Sequence, residues 1–450
     1  MSATGASATR LMVLAAVAGA ALAMDITDAD KLPDDAPRYR WPDEPLGWAL
    51  TTHLCLCLVG YLGLLPTAVV LEAAGHKWHV LVQLAGALVA FAGIVFGWIG
   101  GSVHNAYARF GWFMLGLLAV QTAANLALAL GAVASGRRAR GAYRAVGWVQ
   151  LAATYVAMVL GVIRFLSLCS YTKMGQCVSH FVRGSGLFLG GLAILVLMRL
   201  LGAALVPLRR PLEAYICALM MAVGLVGAFT EHNFLQVPPA DPARADTWTH
   251  KDLQHTMVGI LWLAAGLLGV AMTWRSHPRS RNVVPAITFA ATGVVMIIHQ
   301  QDLAMSSRVH FLFGTAMVCY GACTLCEITL LAAGAVDDHS SPAPIQYATV
   351  LFLCASGLAL MGANRDMVLL LINSGLDPAT YAMFLLSCAF VAMLYCSILV
   401  DLYRALVPAA AAAAAKYRPV FIACRRVSDA TLAPSEPPSP TSLSPAGYYA

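Results

Sequence analysis

The twelve histidines are the most suggestive residues of this 450-residue chain, because only 11% of it is Asp, Glu, Lys or Arg and several imidazoles border long apolar runs. An ionisable side chain at membrane depth is a functional candidate by default, since hydrocarbon does not solvate it. Two groups stand out. In the first half, His53 lies a few residues into one apolar run, His104 stands at the mouth of another and His79 opens a third. Two imidazoles facing each other across a helical bundle can clamp one iron as the axial ligands of a haem. In the second half, the segments FTEHNF, THKDLQH, IIHQQD and SRVHFLFG carry Glu231, His232, His250, His255, His299 and His310, with Asp252 and Asp302 beside them. Imidazole nitrogens with one or two carboxylates suit Zn, Cu or Fe. No close-spaced signature such as HExxH is present, so the metal reading depends on the fold bringing separate segments together. The alternatives are plain. His53 and His104 can be interfacial hydrogen-bonding residues, and the second group can be a hydrated vestibule whose members satisfy one another and cap helix ends. Glu327 lies about five helical turns beyond His310, at a different depth, and is not an obvious partner.

The elements that must position these residues follow from composition. Sixty per cent of the chain is hydrophobic, and the apolar residues fall in runs of about 20, the length an α-helix needs to cross the hydrocarbon of a bilayer. The expected architecture is all-α, a polytopic membrane protein with eleven spans at 47–70, 79–100, 110–134, 145–167, 183–206, 212–230, 254–273, 283–299, 309–334, 346–363 and 379–403. Residues 367–375 are themselves apolar and read as re-entrant or interfacial. Arg10 before the run Leu11 to Leu22, with Ala21-Leu22-Ala23 after it, reads as a signal segment over 1–23. An acidic arm over 24–45 follows, then a cytochrome-b-like bundle over 46–206, a second bundle over 212–405 with a His-rich lumenal face, and a low-complexity tail over 406–450.

With the arm lumenal or extracellular, every second loop is cytoplasmic. Those loops carry RRARGAYR, RR and RSHPRSR, as the positive-inside rule expects. The net charge of +6 is therefore a topology signal, not a sign of nucleic-acid binding. The chain is expected in the secretory pathway or plasma membrane, with its tail cytoplasmic. Cys169 and Cys177 bracket SYTKMGQ in a lumenal connection, where a disulfide can persist.

Residues 46–167, through THLCLCLVGYLGLLPTAVVLE, KWHVLVQLAGALVAFAGIVFG, VHNAYARFGWFMLGLLAVQ and YRAVGWVQLAATYVAMVLG, resemble the haem-binding core of the transmembrane cytochrome b family that moves electrons from ascorbate. In that family each of four helices supplies one haem-ligating His, the first paired with the third and the second with the fourth. The resemblance implies that His53 and His104 hold one haem b per chain. His79 would face Tyr143, so the second haem lacks a ligand. Over about 40–405 the chain also resembles a fungal family of multi-pass membrane proteins named for a likeness to mitochondrial electron-transport proteins, with the pattern EH, HxxxxH, HQQ and H in its second half.

The function expected is a haem- or metal-dependent electron-transfer protein, an oxidoreductase acting at the lumenal face on a small reductant or a metal ion. The alternatives are a metal-ion or proton transporter and a non-catalytic membrane scaffold. No GxGxxG follows a strand and the loops are too short for a nucleotide-binding domain, which argues against a flavin or NAD enzyme.

Overall fold

Long runs of Leu, Ala, Val and Ile become helices in lipid because a helix satisfies its backbone polar groups within the segment. The structure, a computed structural model, describes residues 47–101, 105–130, 137–169, 174–202, 210–230, 232, 248–276, 281–299, 301–332 and 342–407. The signal segment, the acidic arm, the tail from 408, His104 and Glu231 lie outside the described residues.

Among the described residues all regular structure is helical: α1 (Trp48–Ala73), α2 (His79–Ile99), α3 (Ala106–Ala129), α4 (Arg137–Phe165), α5 (Met174–Leu201), α6 (Leu212–Thr230), α7 (His250–Thr273), α8 (Val284–Ile298), α9 (Ala304–Ala332), α10 (Pro344–Gly362), α11 (Arg365–Asn373) and α12 (Pro378–Leu406). Ten of them are long and apolar enough to cross a membrane, and the chain is an integral multi-pass membrane protein of the bilayer. The expected span at 283–299 is α8, found within one residue of those bounds at each end, which has 15 residues. That is about 22 Å at 1.5 Å per residue, short of the ~30 Å of hydrocarbon. Pro285 opens this helix, and His299, in extended backbone conformation, closes it. The interfacial candidate at 367–375 is α11, nine residues capped by the Asn364 side chain, which accepts from the Met367 amide.

α1 contains a π-helical stretch, Leu58–Leu64, just before Pro66. A proline has no N–H, so the carbonyl four residues earlier, that of Leu62, loses its helical donor. Tyr395 of α12 donates its hydroxyl to that carbonyl at 2.6 Å. The local break thereby ties the first long helix to the last.

Two groups of helices emerge from the packing. α1 lies on α2, α2 on α3 and α3 on α4, around Tyr61, Leu65, Ala90, Met114 and Leu118. In the second group α6 packs on α7, α7 on α8, α8 on α9, α9 on α10 and α10 on α5. α5 packs on α10 and α12 and also meets α4, where Tyr155 donates to the Ser185 hydroxyl at 2.8 Å. Glycine permits the closest approaches. A Cβ on Gly184 of α5 would sit 2.6 Å from the Gly357 carbonyl oxygen of α10, and one on Gly224 of α6 only 2.4 Å from the Leu263 amide nitrogen of α7. Lipid offers no hydrophobic drive between helices, so close backbone packing of this kind supplies the cohesion.

Successive helices alternate in direction, which gives the molecule two ends. The starts of α5, α7 and α9 and the end of α8 meet at one, the histidine end. The starts of α6, α8 and α10 and the end of α9 meet at the other, the arginine end. The Cys169–Cys177 disulfide is present as expected, with Cα atoms 5.3 Å apart. It joins the end of α4 to the start of α5 at the histidine end.

Candidate metal centre

Four histidines from four helices form a closed ring. His180 of α5 and His255 of α7 have ring centroids 6.1 Å apart, and His255 and His299, which caps α8, are 5.5 Å apart. His299 and His310 of α9 are separated by 5.4 Å, and 6.4 Å from His310 to His180 completes the circuit. His180, His299 and His310 are buried.

Backbone carbonyls set the tautomers of two rings. His180 donates from Nδ1 to the Gln176 carbonyl at 2.7 Å, and His310 donates from Nδ1 to the Ser306 carbonyl at 2.8 Å. In both, the acceptor lies four residues earlier on the same helix, and the other nitrogen, Nε2, carries the lone pair. A metal-ligating histidine is commonly oriented in this way. His299 is the exceptional member: it is 3% exposed, yet among the described residues neither ring nitrogen has a hydrogen-bond partner. Burial, reinforced by His310, Lys251 and His250, pushes its pKa down to about 4, so the ring is neutral and able to accept at neutral pH.

With metal–nitrogen distances near 2.0–2.1 Å, imidazoles on one tetrahedral ion have ring centroids about 5 Å apart. The two spacings at His299 are close to that value, and those at His180 are roughly 1 Å wider. Among the described residues no three His, Cys, Asp or Glu side chains are placed to hold a metal ion as they stand. A cavity of about 60 Å³ lies against the ring, lined by His180, His255 and His310 together with Arg183, Trp262 and Thr292. Its floor is fixed by the Trp262 indole N–H donating to the Thr292 hydroxyl at 2.9 Å. Lys251 and Asp302 form an ion pair at the same end.

Of the second-half candidates, the structure thus brings together His255, His299 and His310. His232 stands apart, stacked on Trp248 with centroids 4.2 Å apart and its Nδ1 3.3 Å from Asp252 Oδ2. His250, in the first turn of α7, is exposed. His180 is the residue that sequence reasoning missed. The polar stretch GQCVSHFVRGSG hides the start of α5 from hydropathy, which begins that span at 183, whereas the helix begins at Met174. His180 lies three residues after Cys177 of the disulfide, at the depth of the other three imidazoles.

In the first half, His53 is buried between α1, α2 and α3. Its Nδ1 donates to the Gly93 carbonyl at 2.7 Å, and its Nε2 accepts from the Tyr107 hydroxyl at 2.6 Å. Gly97 makes room for the ring, since a Cβ there would stand 2.8 Å from His53 Nδ1. The nitrogen that would ligate iron accepts from a tyrosine that sequence reasoning overlooked, and its expected partner His104 lies outside the described residues. His79 is half-buried at the opposite end of α2, its Nδ1 donating to the His76 carbonyl at 2.8 Å, which closes the turn before the helix.

The family described as "Protein YTP1-like, C-terminal" matches residues 153–404, more than half of the chain. A "Domain of unknown function (DUF2427)" matches residues 36–131. Protein YTP1 of Saccharomyces cerevisiae is 28% identical over 390 residues, which cover 79% of this chain and 79% of that protein. An uncharacterized membrane protein of Schizosaccharomyces pombe is 24% identical over 197 residues, 37% of this chain and 36% of that protein. No solved structure matches the chain. None of these names mentions haem or a cytochrome.

Proposed function

The chain belongs to the YTP1-like family, and from that premise we propose that it is a membrane metal-binding protein in which His180, His255, His299 and His310 hold one transition-metal ion at the extracytoplasmic face. The observation that carries the reading is the ring of four imidazoles from four helices, one of them with both nitrogens buried and unpartnered. An all-nitrogen donor set favours Zn, Cu or Fe over Mg or Ca, which prefer oxygen. Neutral ligands leave the charge of the ion uncompensated, so the centre favours exchange or an anionic co-ligand over a closed structural site. A copper or iron ion makes it an electron-transfer centre, and a zinc ion makes it a site of uptake or Lewis-acid chemistry.

Two features support the orientation. The disulfide belongs to an oxidising compartment and lies at the histidine end. The basic segments RRARGAYR, RR and RSHPRSR fall in the sequence connections at the other end, in keeping with the positive-inside rule.

The test is calorimetric titration of chelator-stripped full-length protein with Zn²⁺ and Cu²⁺. One ion per chain is expected, with affinity at least about tenfold weaker in H299Q and H310Q, the scale on which even outer contacts act at metal sites. H232Q and H250Q are expected to bind as the wild type does. Binding that survives H299Q and H310Q, or is lost in H232Q, overturns the assignment.

A further inference from the structure

At the arginine end, within the same group of helices, two carboxylates share one guanidinium. Arg281 pairs through Nε with Oε1 of Glu213, in the first turn of α6, and donates from Nη1 to Glu327 Oε1 of α9 at 3.1 Å. Gln346 of α10 donates to the same Glu327 oxygen at 3.1 Å. The side chain of Glu213 is 3% exposed, and its second oxygen, Oε2, has no hydrogen-bond partner. Both glutamates line a cavity of about 30 Å³. That is room for a water molecule or two.

Charge counting decides what is missing. Two carboxylates and one guanidinium leave one uncompensated negative charge, and a buried unpaired charge is strongly unfavourable. Among the described residues, the groups facing the pair supply no second cation. Arg281 is the cation that acts on Glu213, and the remaining titratable neighbours are Cys217, Cys323 and Tyr320, all neutral at pH 7.

We propose that Glu213 and Glu327 form a proton-binding site that holds one shared proton at neutral pH, with the unpartnered Glu213 Oε2 as the atom that receives it. A hydronium ion reaching the adjoining cavity from the aqueous phase gives its proton to Oε2 and leaves as water, so that a neutral carboxylic acid stands beside the ionised Glu327–Arg281 pair. Arg281, whose side chain is 19% exposed, marks the route by which the site exchanges with the aqueous phase at that end. This inference is independent of the metal reading.

Infrared spectroscopy of the full-length protein in lipid nanodiscs tests it directly. A carboxylic-acid carbonyl band is expected at pH 7 that shifts on ¹³C-glutamate labelling and is lost in both E213Q and E327Q, since either variant leaves a single carboxylate for Arg281. The labelled wild-type spectrum stands alone should a variant fail to fold. Absence of a glutamate-derived acid band in the folded wild type, its persistence in both variants, or its disappearance when Na⁺ or K⁺ is added would overturn the proposal, the last by showing that the occupant is a metal cation.

Discussion

Replacing Gly259 by alanine tests whether the histidine ring depends on the contact between α6 and α7. The added Cβ would lie 2.5 Å from the Ala228 amide nitrogen and 2.8 Å from the Gly227 carbonyl carbon. Ordinary contact begins at 3.4 Å, so the two backbones must part by about 0.9 Å. Backbone atoms have no rotamer to adopt, and overpacking of this kind costs about 1–3 kcal/mol. His255 lies one turn before Gly259 on the same helix, so the displacement also reaches the ring. Gly186 is the control, because a Cβ there meets nothing within 4 Å, and alanine in that position adds about 0.5–1 kcal/mol through helix propensity. Thermal unfolding in detergent with chelator present reads stability alone, and a separate Zn²⁺ titration reads the site. G259A is expected to unfold at lower temperature and to bind metal more weakly, while G186A does neither. If G259A matches the wild type in both assays, the close approach of α6 and α7 does not hold the site together.

Acid unfolding of the metal-free protein is expected to depend on His299. Its imidazole stays neutral in the fold down to about pH 4, whereas in the unfolded chain it takes up a proton near 6.5. The unfolded state therefore binds more protons between those values, so the stability it contributes is intact above 6.5 and lost as pH falls toward 4, by about 3 kcal/mol in all. H299Q should flatten that part of the pH–stability curve, and an unchanged curve would refute the burial argument. Y395F removes the donor to the Leu62 carbonyl. An unsatisfied buried polar group costs about 1–3 kcal/mol, so the variant should unfold earlier than wild type, and equal stability would show that water replaces the hydroxyl.

Hydropathy locates most of these helices because each must exclude water along its whole length. It fails where an apolar helix begins inside polar sequence, as α5 does at Met174. The same limits apply to the sites. Topology alone places His255, His299 and His310 at one end, but the side of the helix on which each lies depends on partners far away in sequence. His250 is five residues before His255 and faces out, and His232 finds Asp252 and Trp248 instead. Arg281 is the clearest misreading. As part of RSHPRSR it counts toward a basic loop, yet it turns inward to serve two carboxylates. Glu327, set aside for its distance from His310, belongs to that second site at the opposite end.

X-ray absorption at the metal edge of the Zn²⁺- or Cu²⁺-loaded protein tests the central claim most directly. Imidazole rings give a distinctive outer-shell scattering pattern, and four of them with nitrogen at about 2.0–2.1 Å are expected. A first shell dominated by sulfur or oxygen, or fewer than three imidazoles, would contradict a centre built from His180, His255, His299 and His310.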